Sequence, residues 1–426
     1  MAQAVGTRAG RRQDRGFILA SLSFGHGIAH LYDQGFPVFM PAIASSMGLS
    51  NLQVAALLGI RQGGFGLVNL VGGVVVDRLR DSWGQILTGC MLWAALAFLL
   101  VAASPNLGIL IIAVAMVSIP GALWHLPSTA AISQRFPDRR GFAISMHGFG
   151  SNIGNALGPL IAGGLLTFML WRNVLYLYAI PAAVMTIFVW WSLRKLGSTG
   201  AEGESRDRKM AAQLRDGLKL LENPVVMALT LSAAIRGVAT NAMFHWTPFY
   251  LESTSDGGLG MGYFIAGVHY ALLTGMGIIS APILGYLSDR YGRKQVLVPG
   301  MAIAALLTFF IVSAGDSFML PLLLAGVGLF SFSLQQVILA AVLDVVGKGT
   351  EATAAGLIFG FNGVLGVASP FVATVIINEL GGYGSIFYYV GIMTVAALAI
   401  VVVIPFPDHR PAGITLQRFD TQCIPE

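Results

Sequence analysis

The sequence predicts an all-α membrane protein whose twelve transmembrane helices form two pseudo-symmetric six-helix bundles, and three observations carry that prediction. Its side chains are 55% hydrophobic and only 11% charged, with a mean hydropathy of +0.74. A water-soluble domain has too few charges at that ratio to cover its apolar groups. Apolar runs near the ~20 residues that cross a hydrocarbon core recur along the whole chain. The two halves also repeat each other. Gly73-Val-Val-Val-Asp77-Arg78 returns as Gly285-Tyr-Leu-Ser-Asp289-Arg290, and Gly148-Phe149 returns as Gly360-Phe361 at the same displacement. Two agreements at one offset, in matching runs, indicate duplication.

Taken in order, residues 1–16 form a cytoplasmic tail in which Arg8, Arg11, Arg12 and Arg15 precede the first apolar run. That run is too long for a signal-peptide core and lacks a small-residue cleavage site, so it is expected to remain as the first span. The N-terminal bundle covers 17–193, with spans at 17–44, 51–76, 84–103, 107–134, 141–169 and 174–193. The polar stretch 194–224 opens with RKLGSTGAEGESRDRKM, a mixture of Gly, Ser and charge expected of a cytoplasmic linker, and LRDGLKLL after it reads as a short surface helix. The C-terminal bundle covers 225–405, with spans at 225–251, 260–287, 294–314, 318–343, 352–378 and 384–405, and 406–426 is a second cytoplasmic tail. Of the 25 lysines and arginines, all but Arg61, Arg172 and Arg236 fall in tails and loops that this topology places on one side. The positive-inside rule makes that side the cytoplasm and puts both termini there. It also accounts for a pI near 9.3 without a nucleic-acid partner. The 53 glycines suit close helix contact in lipid, and the two cysteines, Cys90 and Cys423, imply neither a disulfide framework nor a metal site.

The first span sets His26, His30 and Asp33 on one helical face. A titratable group inside a membrane is costly, and its presence there marks function. Asp33 is the expected proton carrier, with His26 and His30 as relay or binding groups, while each histidine alone also reads as a neutral packing residue. Arg61 and Arg236 fall near mid-depth of the second and seventh spans. Arginine stays charged, so it cannot carry a coupling proton and needs an anion. That anion is either a substrate phosphonate, phosphate or carboxylate, or a protein carboxylate such as Asp33. The expected substrate-binding set is Arg61, Arg236, His125, Asn152, Asn241 and His245. His147, His269, Asn155, Gln335, Gln336 and Asn362 read as cavity lining or interhelical contacts. No phosphate loop, metal-ligand spacing or nucleophile elbow occurs, so no enzyme activity, cofactor or metal is expected, and an ion gradient should supply the energy.

The segment Gly285-Tyr-Leu-Ser-Asp289-Arg290-Tyr-Gly292-Arg293-Lys294 resembles the signature loop of the major facilitator superfamily. The resemblance implies a conformational latch formed by Gly285, Asp289, Arg290, Gly292 and Arg293, closed when the protein faces outward. Gly285 would allow close helix approach, and Asp289 would cap a neighbouring helix. Gly73, Asp77 and Arg78 form a weaker first copy, in which Arg80 stands at the second glycine position. Gly154-Asn-Ala-Leu-Gly158-Pro159, followed by Gly163-Gly164, resembles the family's antiporter signature, with Gly154 and Gly158 packing helices and Pro159 bending the span. Phe24-Gly-His26, Trp124-His125-Leu126-Pro127 and Arg139-Arg140-Gly141 together resemble the fosmidomycin-resistance branch, proton-driven exporters of small antibacterial compounds, although Leu126 interrupts that branch's aromatic-His-Pro pattern. These likenesses imply a monomeric proton-coupled antiporter of a bacterial-type inner membrane. Its partners would be protons, the lipid bilayer and a small exported compound, anionic if the arginines clamp it. The alternatives are a proton symporter or anion exchanger importing a nutrient or metal-linked solute, and a permease-like receptor or assembly factor that does not transport.

Overall fold

The computed structural model describes residues 14–197, 219–346 and 361–406, together with Arg215 and Ile358. Most of the two tails and of the 194–224 linker, with Lys348 and Gly360, lie outside the described residues, as do the side chains of Gly73 and Asp77. All regular structure among the described residues is helical, and each of the twelve predicted spans contains helix. The first half comprises α1 (Arg15–Met47), α2 (Asn51–Arg78), α3 (Trp83–Ala103), α4 (Leu107–Arg135), α5 (Arg140–Leu166) and α6 (Trp171–Leu193). The second comprises α7 (Pro224–Glu252), α8 (Tyr263–Gly275), α9 (Gly277–Tyr291), α10 (Arg293–Ala314), α11 (Met319–Ser331), α12 (Ser333–Val345), α13 (Ser369–Leu380) and α14 (Ser385–Val403). The eighth, tenth and eleventh spans differ from the prediction in being interrupted, at Met276, at Phe332 and at 367–368.

The helix ends are written locally. The Asp14 carboxylate accepts from the Gly16 amide at 3.0 Å, and Ser50 and Gln53 form a reciprocal capping box at the start of α2. Asn223 caps α7, with Pro224 filling a first-turn position that needs no amide hydrogen. Between α9 and α10, Gly292 takes φ 106° and ψ 151°, a backbone region that glycine alone enters without strain.

Nine helical segments among the described residues are long and apolar enough to cross a membrane. The full-length helices outside that set are α1, α2 and α5. They carry His26, His30 and Asp33; Arg61; and His147, Asn152 and Asn155. Much of the polar interior is therefore carried by these three helices.

Packing explains how they remain buried. In lipid, association depends on close backbone contact more than on expulsion of water. The α5 glycines lie against α1 so tightly that a Cβ on Gly154 would collide with the Gly27 carbonyl and stand 2.9 Å from the Leu31 amide nitrogen. Gly158 meets Leu31 and Gly35 in the same way. The opposite edge of α5 reaches the other bundle, where a Cβ on Gly267 of α8 would stand 2.7 Å from the Pro159 carbonyl. Gly66 of α2 faces Gly363 across the same divide, and Asn51 bonds Asn378 at 3.1 Å and Tyr383 at 3.0 Å.

At the end of the molecule marked by Asn51 and Tyr383, buried side chains of both bundles merge into one core, from Phe36 and Trp171 to Trp246 and Phe387. At the opposite, arginine-rich end each bundle keeps a core of its own, around Trp83 and Trp124 in one and Leu297 and Leu334 in the other. The bundles are thus joined at one end and separate at the other.

Candidate functional site

Between the bundles lies a cavity of about 140 Å³. α1 supplies Asp33, Gln34 and Pro37, α2 supplies Arg61, Gln62 and Phe65, and α4 supplies Ser118. The facing wall is Asn241, Phe244 and His245 from α7 with Tyr270 from α8. A water takes ~30 Å³ of liquid and drug-sized pockets begin near ~300 Å³, so this space suits a few waters or a small solute.

Its charged feature is an ion pair. Arg61 reaches from α2 to α1, where its Nη2 donates to the Asp33 carboxylate and, at 3.0 Å, to the Asp33 carbonyl. Gln34 donates to the other carboxylate oxygen at 3.2 Å, and the guanidinium lies 5.3 Å from the centre of the Phe36 ring. The Arg61 side chain is 10% exposed and that of Asp33 32%, so the carboxylate is the more exposed member of the pair, and both line the cavity. The buried Nε of Arg61 has no hydrogen-bond partner. Of the two anions considered for Arg61, the structure supplies the protein carboxylate.

Arg236 is placed differently from the sequence expectation. It does not line the cavity: its Nη2 donates to the carbonyls of Phe330 and Ser331 at 2.7 and 2.6 Å, and its Nη1 to Gln335 at 3.4 Å. These carbonyls stand at the interruption between α11 and α12, where helical partners are lost and lipid offers none. Arg236 therefore closes a helix break, and the two arginines do not share one ligand. Asn152 also lies away from the cavity, beside Gly277 at the α5–α9 contact, and His269 returns to its own helix through the Ile265 carbonyl at 2.8 Å. Asn241 and His245 are on the cavity wall as expected. Gln34, Gln62, Phe65, Ser118, Phe244 and Tyr270 were not singled out from sequence. For Gln62, adjacency to Arg61 was the one available signal.

His125 belongs to a second constellation. His26 and His30 from α1 meet His125 from α4, with ring centroids 4.7, 4.7 and 5.4 Å apart, and His147 of α5 stacks on His26 at 4.0 Å. One potential ligand nitrogen from each of His26, His30 and His125 lies within 4.8 Å of the others. No ligand spacing along the chain announces this grouping, because His125 reaches His26 and His30 from a different helix.

At the arginine-rich end, Arg293 pairs with Asp289 and, at 2.8 Å, with Asp344, and donates to Ser288 at 2.7 Å. Asp289 thus holds an arginine of its own bundle and does not cap a neighbouring helix. A Cβ on Gly285 would meet no heavy atom within 4 Å, so no close approach is made there in this conformation. Arg290 donates to the Tyr286 hydroxyl at 2.8 Å. Arg78 ends α2, and Gly73 and Asp77 lie in the same helix.

Comparison with known proteins agrees with this architecture. The family model described as Major Facilitator Superfamily matches residues 22–332 and 271–420. The probable nitrate/nitrite antiporter NarK1 of Thermus thermophilus is 25% identical over 62% of this chain and 58% of its own, so the match spans less than two thirds of that relative. The multidrug resistance protein MdtG of Salmonella arizonae is 25% identical over 67% of this chain and 68% of its own. The crystal structure of a mutant of the nucleoside transporter NupG shares the fold at TM-score 0.73, with 15% identity, over 90% of this chain and 99% of that one. With helices arranged as two bundles around a charged cavity and a family model matching most of its length, this chain is a multi-pass membrane protein and belongs to the major facilitator superfamily.

Proposed function

We propose that the protein is a proton-coupled antiporter that exports a small organic compound by alternating access, with the Asp33–Arg61 pair as its coupling element. The single observation behind this reading is that the cavity's carboxylate is both partly exposed and tied to a buried guanidinium. Ionised Asp33 offers lone pairs to a donor group on the solute. Its protonation breaks the pair and withdraws that acceptor, so proton and solute exclude each other. A hydrogen bond to a charged group contributes about 1.5–3 kcal/mol, roughly a ten- to hundredfold preference for the ionised state. His26 and His30, two turns and one turn before Asp33, are positioned to relay the proton. The arginine-rich end, where the bundles keep separate cores, is taken as cytoplasmic on the positive-inside rule, so this conformation faces inward. The latch roles of the Asp77 and Asp289 loops rest on family resemblance. MdtG carries the name of a multidrug resistance protein, which favours export.

The pair also separates two ideas that the sequence joined. An anion that takes Arg61 frees Asp33 to bind a proton, so anion and proton load together. That is the sign of symport, and the unpartnered Arg61 Nε favours it as the second reading. Reconstituted protein, an imposed pH gradient and a screen of mixed amines, neutral compounds and organic anions distinguish the two. Movement of an amine or neutral compound against the proton flow is expected. Movement of an anion with the protons supports the second reading, and no flux of any compound contradicts both.

A further inference from the structure

Within the first bundle, the histidine cluster is a separate feature with its own chemistry. The geometry points to a binding site for a divalent transition metal of the zinc, cobalt or nickel class, formed by His26, His30 and His125. The inference stands apart from the direction and substrate of transport, and a bound ion would take His26 and His30 out of the proton relay.

The hydrogen bonds around the rings decide where their lone pairs lie. His26 Nδ1 is 2.9 Å from the His147 carbonyl oxygen, which only accepts, so Nδ1 carries the hydrogen and Nε2 is bare. That Nε2 is buried and has no partner. His30 Nδ1 is 2.8 Å from Asn155 Oδ1, another acceptor, which leaves its Nε2 bare as well. Metal-ligating histidines characteristically give their second ring N–H to a carbonyl, fixing tautomer and ring angle, and both rings on α1 are held in this way. The His26 plane is further fixed by the stacked His147 ring, inclined by 10° and tied to Ser128 Oγ at 3.2 Å. The Ser128 hydroxyl is spent on the Trp124 carbonyl at 2.7 Å, so its oxygen receives the His147 N–H.

A buried acceptor without a donor costs about 1–3 kcal/mol, and a cation beside His26 Nε2 removes that cost. Neutral imidazoles suit zinc, nickel, copper and iron and discriminate against magnesium and calcium. Three protein ligands leave a fourth position for water or solute. His30 and His125 are only partly buried, which gives an ion a way in, and Asp33 follows His30 on the same helical face as the nearby negative charge.

The test is cobalt titration of tag-free, chelator-stripped, full-length protein in detergent. About one equivalent of Co²⁺ should bind with the intense visible bands of four-coordinate cobalt, and excess Mg²⁺ should not displace it. His125→Gln should remove those bands. Asn155→Ala, which keeps all three ligands, should weaken binding about 10–100-fold. If His125→Gln does not yield monodisperse protein, the Asn155→Ala titration alone decides. Binding without four-coordinate bands, or binding equal in wild type and variants, overturns the site.

Discussion

The Asp33–Arg61 pair makes a quantitative prediction about stability that a double-substitution cycle can read. Removing one member of a fully buried pair costs about 3–5 kcal/mol, while exposed pairs couple by about 0–1 kcal/mol. Arg61 is 10% exposed at its side chain and Asp33 32%, so the coupling belongs between these limits, at about 2 kcal/mol. Asp33→Asn leaves a buried guanidinium with neutral acceptors and no counter-charge, so it should be the more damaging single change. Arg61→Gln leaves a carboxylate that the cavity can hydrate, so it should cost less. The double variant should be more stable than the sum of the two losses by about 2 kcal/mol. Unfolding in mixed micelles over a range of SDS content provides the assay. Additivity within about 0.5 kcal/mol would refute the claim that these groups act as a unit.

Three further outcomes follow from packing. Gly154→Ala should destabilise by about 1–3 kcal/mol through collision with α1, whereas Gly148→Ala, where a Cβ meets nothing within 4 Å, should be near neutral in the same assay. Gly292→Ala should cost about 1–3 kcal/mol, because its φ of 106° is closed to other residues, and should lower the melting temperature of the detergent-solubilised protein. Arg236→Gln should lose about 2–5 kcal/mol, from two carbonyls left without donors at about 1–3 kcal/mol each, yet leave the half-saturation concentration of the folded, reconstituted fraction unchanged. A shift in that concentration at normal stability would place Arg236 back at the substrate.

The helices were legible because a span needs only length and apolar composition, and the Gly, Pro and Asn signals at their ends act locally. The interruptions at Met276 and Phe332 were not. Each is flanked by small residues, Gly275 and Gly277 or Ser331 and Ser333, but such residues also serve in continuous helices. Missing the second break hid the purpose of Arg236, since the carbonyls it satisfies exist as open acceptors only there. Asp33 was identifiable as a costly charge on an apolar helix, and Arg61 as a charge that needed an anion. Their union depended on how α1 and α2 turn toward each other, which no spacing along the chain encodes. The histidine cluster was half visible: His26 and His30 share a helical face, while His125 and His147 arrive from helices far along the chain. The antiporter-like glycines proved more informative than their pattern suggested, because Gly154 and Gly158 seat α1 while Pro159 and Gly163 meet the opposite bundle.

The central claim is that Asp33 carries the coupling proton, and Asp33→Asn in proteoliposomes tests it most directly. The amide keeps size and an acceptor oxygen but cannot titrate. With substrate on both sides and no pH gradient, exchange should persist at saturating substrate, with a half-saturation concentration raised about ten- to hundredfold and little dependence on pH. With a pH gradient imposed and substrate on one side, wild type should accumulate it uphill and Asp33→Asn should not. If Asp33→Asn still accumulates substrate against its gradient, while His26→Gln or His30→Gln does not, the proton travels on a histidine and the role given to the Asp33–Arg61 pair is wrong.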